Sequence, residues 1–393
     1  MSETSVNIQN IYKGRLKRFD DVLSRRVPDR VPVIPNVDTW IYHYAGVSVK
    51  EAFLKDSDKI FQTVKFFDEN VPVDGIMGTA NTFPVKMGQN IGEGVYVVSD
   101  EGVQIKGSSG RLMEPQEYAL LAENPMKFFA NVLIPRRFRS FRDGSGEKKV
   151  DIIKQAYKDF CEFGAYNAAA NSRIEKELGL PILTMGSNFL APDIVLDYLR
   201  DFVGIAADIR RCPDELAAAC VSLTEYVSEM FFDTAGEPGE KVLFSPLHLP
   251  TYLRPKDFAR IYLPFMQKYL EEMAVKHGYS IYFFMENNWM PYLDMLKDFP
   301  EGIKFVGLFE SGDLAKIKAE LGSRMTVMGG MPIELLRFGT KEQVIEKSKE
   351  LLDTLAPGGG YIFSTDKSLL SLNDGKPENL IAACEYITLN GKY

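Results

Sequence analysis

The chain has 393 residues, and 54 Asp and Glu against 46 Lys and Arg give it a formal net charge of −8. That acidic balance, with no Lys/Arg block beyond a solvated helix face, argues against a nucleic-acid partner. The content of 45% hydrophobic and 25% charged residues is ordinary for a globular protein. The four cysteines (Cys161, Cys212, Cys220, Cys384) lack CxxC spacing, so neither a disulfide frame nor a thiolate zinc site is expected.

Met1–Arg30 is polar and charged, and no run of 18 apolar residues occurs, so no signal peptide and no membrane span are expected and the expected location is cytoplasmic. Residues 9–26 read as a helix ending before Pro28. Val31–Pro35 reads as a first strand, followed by Asn36, Asp38, Trp40, Tyr42, His43 and Tyr44. Ser48–Leu54 and Ser57–Glu69 read as helices with Ser48 and Ser57 as N-caps. Val73–Met77 is a second strand leading to Asn81 and Phe83. The alternating segments GEGVYVVSD and EGVQIKG predict an antiparallel hairpin outside the main sheet. Residues 116–180 carry two or three helices, and the basic run Arg136–Arg139 reads as a solvated loop or subunit contact before it reads as an anion site.

Pro181–Gly186 is the third strand, followed by Asn188, Phe189 and a helix holding Asp193, Asp197 and Arg200. After the helix Glu215–Thr234 comes the strand Lys241–Ser245, then His248 between Pro246 and Pro250, then the helix Asp257–Lys276. Tyr279–Met285 is a continuous apolar run ending in Glu286, Asn287, Asn288 and Trp289, which reads as a buried parallel strand. Pro291–Lys297 is helical. Lys304–Phe309 ends at Glu310, and Met325–Gly329 follows the helix Asp313–Leu321 and ends in Gly330 and Met331. The helix Thr340–Leu355, the strand Tyr361–Ser364 with Asp366 and Lys367 beyond it, and the helix Pro377–Asn390 complete the chain.

Eight strands alternating with helices predict an α/β fold, a (β/α)8 TIM barrel. It has an N-terminal helical extension and an inserted hairpin and helical segment at about 85–180, all within one domain spanning 1–393. The carboxyl ends of such strands would collect Asp38, Trp40, Asn81, Asn188, His248, Glu286, Asn288, Glu310, Met331, Asp366 and Lys367, with Phe83, Phe189, Trp289 and Met290 around them. The set is rich in carboxylates and amides and poor in cations, which suits a mostly apolar small molecule held by a few polar groups. A buried carboxylate is costly unless paired or bound to a cation. Glu286 and Glu310 therefore pair with Lys367 or Arg254, cap the next helix, bind a metal or act in catalysis. Asp366 and Lys367 are either a self-satisfied ion pair or part of the chemistry, and His248 is a hydrogen-bonding residue or a ligand.

Nearly the full length resembles the uroporphyrinogen decarboxylase superfamily. The matching pieces are RVPV, YAGVS, VDGI, APDIVLDYLRDFVGIAADIRRCPDEL, SPLHLPTYLRPKDFARIYLPF and LAPGGGYIFSTDK. The resemblance implies a TIM barrel and one of two chemistries. Decarboxylases of the superfamily grip a polycarboxylate macrocycle with an arginine-bearing MRQAGRY-type segment; here that region reads PNVDTWIYHYAG, without Arg. The other branch comprises cobalamin-dependent methyltransferases. Their thiol-methylating members hold zinc through an HxCG-type segment and a late Cys, where this chain has Phe284, Glu286 and Thr365-Asp366. The O-demethylase type, with oxygen-rich zinc sites, resembles it better.

That resemblance implies a methyltransferase moving a methyl group from a small apolar donor, an aryl methyl ether, to a corrinoid (cobalamin) on a partner protein. The implied zinc ligands are His248, Glu286 and Glu310, the catalytic residues Glu286, Asp366 and Lys367, and the substrate-binding residues Asp38, Trp40, Asn81, Phe83, Asn188, Asn288, Trp289 and Met331. A homodimer is left open. The alternatives are a decarboxylase of a small or tetrapyrrole carboxylic acid, transfer of the methyl group to a pterin or thiol, and a non-catalytic binding barrel whose mouth is filled and whose Glu286 and Glu310 are both salt-bridged.

Overall fold

In the computed structural model, residues 3–92, 96–105, 111–234 and 236–393 are described. The predicted hairpin is β1 (Tyr96–Ser99) and β2 (Gly102–Ile105), antiparallel with Ser99 opposite Gly102. The parts of its two segments at 93–95 and 106–107 lie outside the described residues.

Six further strands form one parallel sheet in chain order: β3 (Thr184–Ser187), β4 (Val242–Leu247), β5 (Ser280–Asn288), β6 (Phe305–Ser311), β7 (Thr326–Met331) and β8 (Tyr361–Thr365). The two predicted N-terminal strands take their places as single parallel bridges, Val33 to Phe363 of β8 and Ile76 to Ile182 just before β3. The Asp74 N–H donates to the Val33 carbonyl at 2.9 Å, joining the two. The fold is the (β/α)8 barrel, with two of its eight staves reduced to bridges. Both short stretches carry prolines (Pro32, Pro35, Pro72), which have no N–H for a ladder.

Residues two apart on a strand share a face. One parity is outside: Leu243, Ile281, Phe283, Met285, Phe305 and Val327 pack against the surrounding helices. The other parity fills the barrel: Val242, Tyr282, Val306, Leu308, Met328 and Ile362 form one cluster with Phe244 and Phe284. The same cluster includes Leu16, Phe19, Val22 and Leu23 from the helix Glu3–Leu23. Thr326 at the start of β7 donates its hydroxyl to the Val22 carbonyl at 2.7 Å. The N-terminal extension therefore plugs the amino-terminal end of the barrel and leaves chemistry to the carboxyl end.

Most predicted helices recur, with Ser48, Asp313 and Thr340 accepting from the N–H groups of Glu51, Lys316 and Gln343. Two details differ. Asp257–Lys276 is interrupted after Ile261, because Pro264 cannot donate within a continuous helix. The basic run at 136–139 is not simply solvated: the Arg136 guanidinium grips Glu117 at 2.6 and 2.8 Å. Among the described residues, no helix is long and apolar enough to cross a membrane.

Candidate active site

The parallel register draws the strand ends into a row. Leu247 lies opposite Met285, and Met285 opposite Phe309. His248, Glu286 and Glu310 are therefore neighbours on adjacent strands, about 4.8 Å apart per strand. Their parity is that of Phe244, Phe284 and Leu308, so all three turn toward the barrel axis. Asp366, four residues after Ile362, joins them from β8.

A bulge modifies the row. After Met285–Phe309 the next pair is Asn288–Ser311, so β5 holds one residue more than β6. Asn287 takes it up with φ 58°, a left-handed conformation that asparagine tolerates better than most residues. Its side-chain amide donates to Thr251 Oγ1 at 3.2 Å, and its N–H donates to the Glu310 carboxylate. Bulges re-aim side chains near active sites. Here Glu286 turns to His248, while Glu310 is held by the Asn287 backbone and by Lys367 Nζ at 3.6 Å.

His248 is engaged on both ring nitrogens. Nδ1 is 2.8 Å from Asp197 Oδ2, and Nε2 is 3.3 Å from Glu286 Oε1. Its loop is fixed from beneath by fully buried Asp193, whose Oδ1 accepts the N–H of His248 (3.1 Å) and Leu249 (2.9 Å) and whose Oδ2 accepts the Tyr262 hydroxyl. Burial alone would lower the imidazole pKa. The hydrogen bond and charge of Asp197, with the charges of Glu286 and Asp193, outweigh it and raise the value to about 9. Two carboxylates facing two ring nitrogens are satisfied together only by the doubly protonated ring. Burial raises the Glu286 pKa, opposed by His248 and reinforced by Glu310 and Asp197. Burial also raises Asp193 to about 7 and Asp38 to about 6.

An aromatic wall runs from the inserted hairpin to this array. Phe83 stacks on Tyr96 of β1 at 3.7 Å, and the Tyr96 and Tyr198 hydroxyls are 3.2 Å apart. Tyr198 meets Phe189 edge-on at 6.0 Å, and Phe189 meets His248 at 6.4 Å. Gly186 and Ser187 at the end of β3 are exposed, and a side chain built on Gly186 would meet no atom within 4 Å. A cavity of about 360 Å³ lies to one side of the row, lined by Glu310, Gly330 and Asp366 and by Leu314, Lys347 and Leu351 of the helices behind β6 and β7, and it does not include His248, Glu286 or the aromatic wall.

The other predicted residues divide sharply. Trp40, Trp289 and Met331, expected to line a substrate, are fully buried. The Trp40 indole donates to the Gly375 carbonyl and that of Trp289 to the Glu286 carbonyl, each at 2.9 Å. These large side chains fill the gaps behind the strand ends, so Trp289 supports the backbone of Glu286 and offers no surface to a ligand. Asn81 is tied to Asn167, Asn288 caps its own turn through the Met290 N–H, and Asn188 is buried beside β4. Asp366 accepts the Ile333 N–H at 2.9 Å, so it does not form a closed pair with Lys367. Arg254 pairs with Asp257, away from both glutamates. Asp193, Asp197, Tyr96, Tyr198 and Tyr262 were missing from the predicted site. The four-residue spacing of Asp193 and Asp197 on one helix face was the available signal.

For zinc, the donors fit in part only. His248 and Glu286 converge, and Asp197 stands behind the ring where a metal-bound histidine is usually steered. Glu310 is committed to Asn287 and Lys367, and among the described residues no three His, Cys, Asp or Glu side chains are grouped to hold a metal ion. A catalytic zinc needs three protein ligands, so no step below depends on one.

The family model described as uroporphyrinogen decarboxylase (URO-D) matches residues 146–386. The chain belongs to the uroporphyrinogen decarboxylase family. Its fold is similar to that of a methyltransferase from Methanosarcina mazei, with a TM-score of 0.64 at 14% identity over 95% of this chain and 98% of that one. No curated protein matches the chain. The family match covers β3 to β8, and with them Asp193, Asp197, His248, Glu286, Glu310 and Asp366. The hairpin that brings Tyr96 over the mouth precedes it.

Proposed function

We propose that the chain is a methyltransferase that takes a methyl group from a small aryl methyl ether and passes it to a corrinoid carried by a separate protein. The observation that carries this is the Asp197–His248–Glu286 array at the foot of an aromatic wall: a proton source beside an apolar face. Family membership and the similarity in fold to a methyltransferase are consistent with it.

Breaking the methyl–oxygen bond of an aryl ether leaves negative charge on the phenolic oxygen. Glu286, the carboxylate that faces the His248 ring, relays a proton from it to that oxygen, and the proton leaves on the phenol. His248, an imidazolium at neutral pH, is the source of that proton, and the neutral ring left behind takes up another from water. Asp197 holds the ring in place. The corrinoid, when docked, supplies the nucleophile that receives the methyl group. Phe83, Tyr96, Tyr198 and Phe189 give the aryl ring a face and exclude water. Such general-acid help is worth about 10²–10⁴-fold in rate.

A decarboxylase of a small acid is the second reading, favoured by the description of the matched family. A polycarboxylate tetrapyrrole suits the site poorly, because His248, Lys367 and Lys347, the cations in or beside the row among the described residues, already face carboxylates. The scaffold alternative requires Glu286 and Glu310 to be paired, and both face a cation; the exposed β3 end speaks against its filled mouth. The test is incubation with reduced corrinoid and a panel of aryl methyl ethers, following methylcobalamin formation by absorbance. Release of carbon dioxide from a carboxylic acid, with no methylcobalamin from any ether, would overturn the proposal.

A further inference from the structure

Phe83, Tyr96, Phe189 and Tyr198, the rings of the wall, are all partly exposed, whereas Trp40 and Trp289 are fully buried. Two of the four carry hydroxyls, and these meet each other at 3.2 Å. A phenol has one proton to donate. Only one of the two protons lies between the oxygens, so the hydroxyl that accepts it still has its own proton to give. Among the described residues neither hydroxyl has a second hydrogen-bond partner. Burial, the Tyr96 hydroxyl and the Asp197 charge raise the Tyr198 pKa above its ordinary 10, so this phenol is a donor at neutral pH. Phe189 stands between Tyr198 and His248, at 6.0 and 6.4 Å from their rings. The spare O–H and the His248–Glu286 pair therefore lie at opposite ends of one aromatic face.

The field around the face is negative. Asp197 adjoins Tyr198 and its charge acts on that phenol. Glu286, Glu310 and Asp366 stand in the row, whose cations already face carboxylates. A carboxylate on the ligand would enter this field with no cation left to meet it.

We infer that the Tyr96–Tyr198 pair selects the substrate: a neutral aryl methyl ether with an oxygen acceptor on the side of the ring away from the methoxy group, such as a hydroxymethyl, carbonyl or second ether oxygen, in preference to a ring carboxylate. The inference rests on the aryl-ether reading and adds to it what holds the far end of the ring. Tyr96 precedes the residues 146–386 that match the family model, so half of this selector is supplied by the inserted hairpin.

Three compounds of similar shape test it by calorimetry near neutral pH, without corrinoid: 4-methoxybenzyl alcohol, 4-ethylanisole, in which a methyl group replaces the hydroxyl, and 4-methoxybenzoate. The unaltered protein should bind the alcohol about 3–10-fold more tightly than the ethyl compound, the worth of one ordinary hydrogen bond. It should bind the benzoate about tenfold more weakly than the alcohol, a gap that narrows as salt is raised. Moving the acceptor beside the methoxy group, as in 2-methoxybenzyl alcohol, should lose the preference over the ethyl compound. So should the double variant Tyr96→Phe/Tyr198→Phe, which keeps all four rings and should keep its circular dichroism; both changes are needed, because either tyrosine alone retains a free proton. Absence of the preference in the unaltered protein, its survival in the double variant, benzoate bound as tightly as the alcohol, or no binding of any of the three would each overturn the inference. The expected binding order with no methylcobalamin formed from the alcohol would support the selector and count against the methyl-transfer reading alone.

Discussion

The charge state of His248 gives the most direct measurement on the site. Its pKa of about 9 in the fold lies above its ordinary 6.5. Protonation thus favours the folded state: this contribution is complete below about pH 6.5, declines as pH rises toward 9 and is gone above it. The full difference corresponds to about 3 kcal/mol, and to about 2 kcal/mol once screening of a ring that is about one third solvent-exposed is allowed for. Asp197→Asn keeps the shape of the Nδ1 partner and removes its charge, so the pKa should fall back toward 6.5 and the stability lost between pH 7 and 10 should shrink accordingly. Urea unfolding of both proteins across that range measures the difference, and the span from pH 8 to 10 isolates the ring because Asp193, at about 7, and Asp38, at about 6, have largely titrated below it. With only three histidines in the chain, His43, His248 and His277, nuclear magnetic resonance titration assigns the shift. Parallel stability curves for the two proteins, or a His248 titration near 6.5 in the unaltered protein, would refute the imidazolium bridge.

Glu286→Gln should reduce methyl transfer by about 10²–10⁴-fold with little change in thermal unfolding, and should lower the His248 pKa by removing a neighbouring negative charge. Asn287→Gly should leave stability within a few tenths of a kcal/mol, whereas Asn287→Val should cost about 1–2 kcal/mol for the left-handed backbone alone; calorimetry separates the two. Tyr262→Phe removes the hydroxyl that Asp193 accepts and should destabilise by about 1–3 kcal/mol, while Asp193→Ala, which strands three donors, should cost more. Trp40→Phe should lower unfolding stability by about 1–3 kcal/mol and leave the apparent affinity for the donor unchanged. A changed affinity would return Trp40 to the substrate wall.

Much of the barrel was legible because its signals are local. Apolar runs bounded by turns marked the strands, and proline and capping residues marked most helix limits. Position directly after the apolar runs Tyr279–Met285 and Lys304–Phe309 placed Glu286 and Glu310 at the strand ends. The two N-terminal staves were placed correctly in sequence but overestimated in length, because local propensity does not reveal that a ladder will shrink to one bridge. Trp40, Trp289 and Met331 were misplaced for a related reason. Position after a strand says that a residue is near the mouth, and only packing decides whether it faces the mouth or fills the space behind it.

The sequence by itself determined the class of fold, the acidic and amide-rich character of the strand ends and the absence of arginine from the segment 35–46. These follow from residue type and spacing along one chain. The tertiary structure alone decided that Asp197, fifty-one residues from His248 in sequence, would supply its ring partner. It also decided that one extra residue in β5 would turn Glu286 to His248 while Glu310 stays with Asn287 and Lys367. Strand register and bulges are settled between segments, by pairing and burial summed over the whole barrel, and no single segment encodes them.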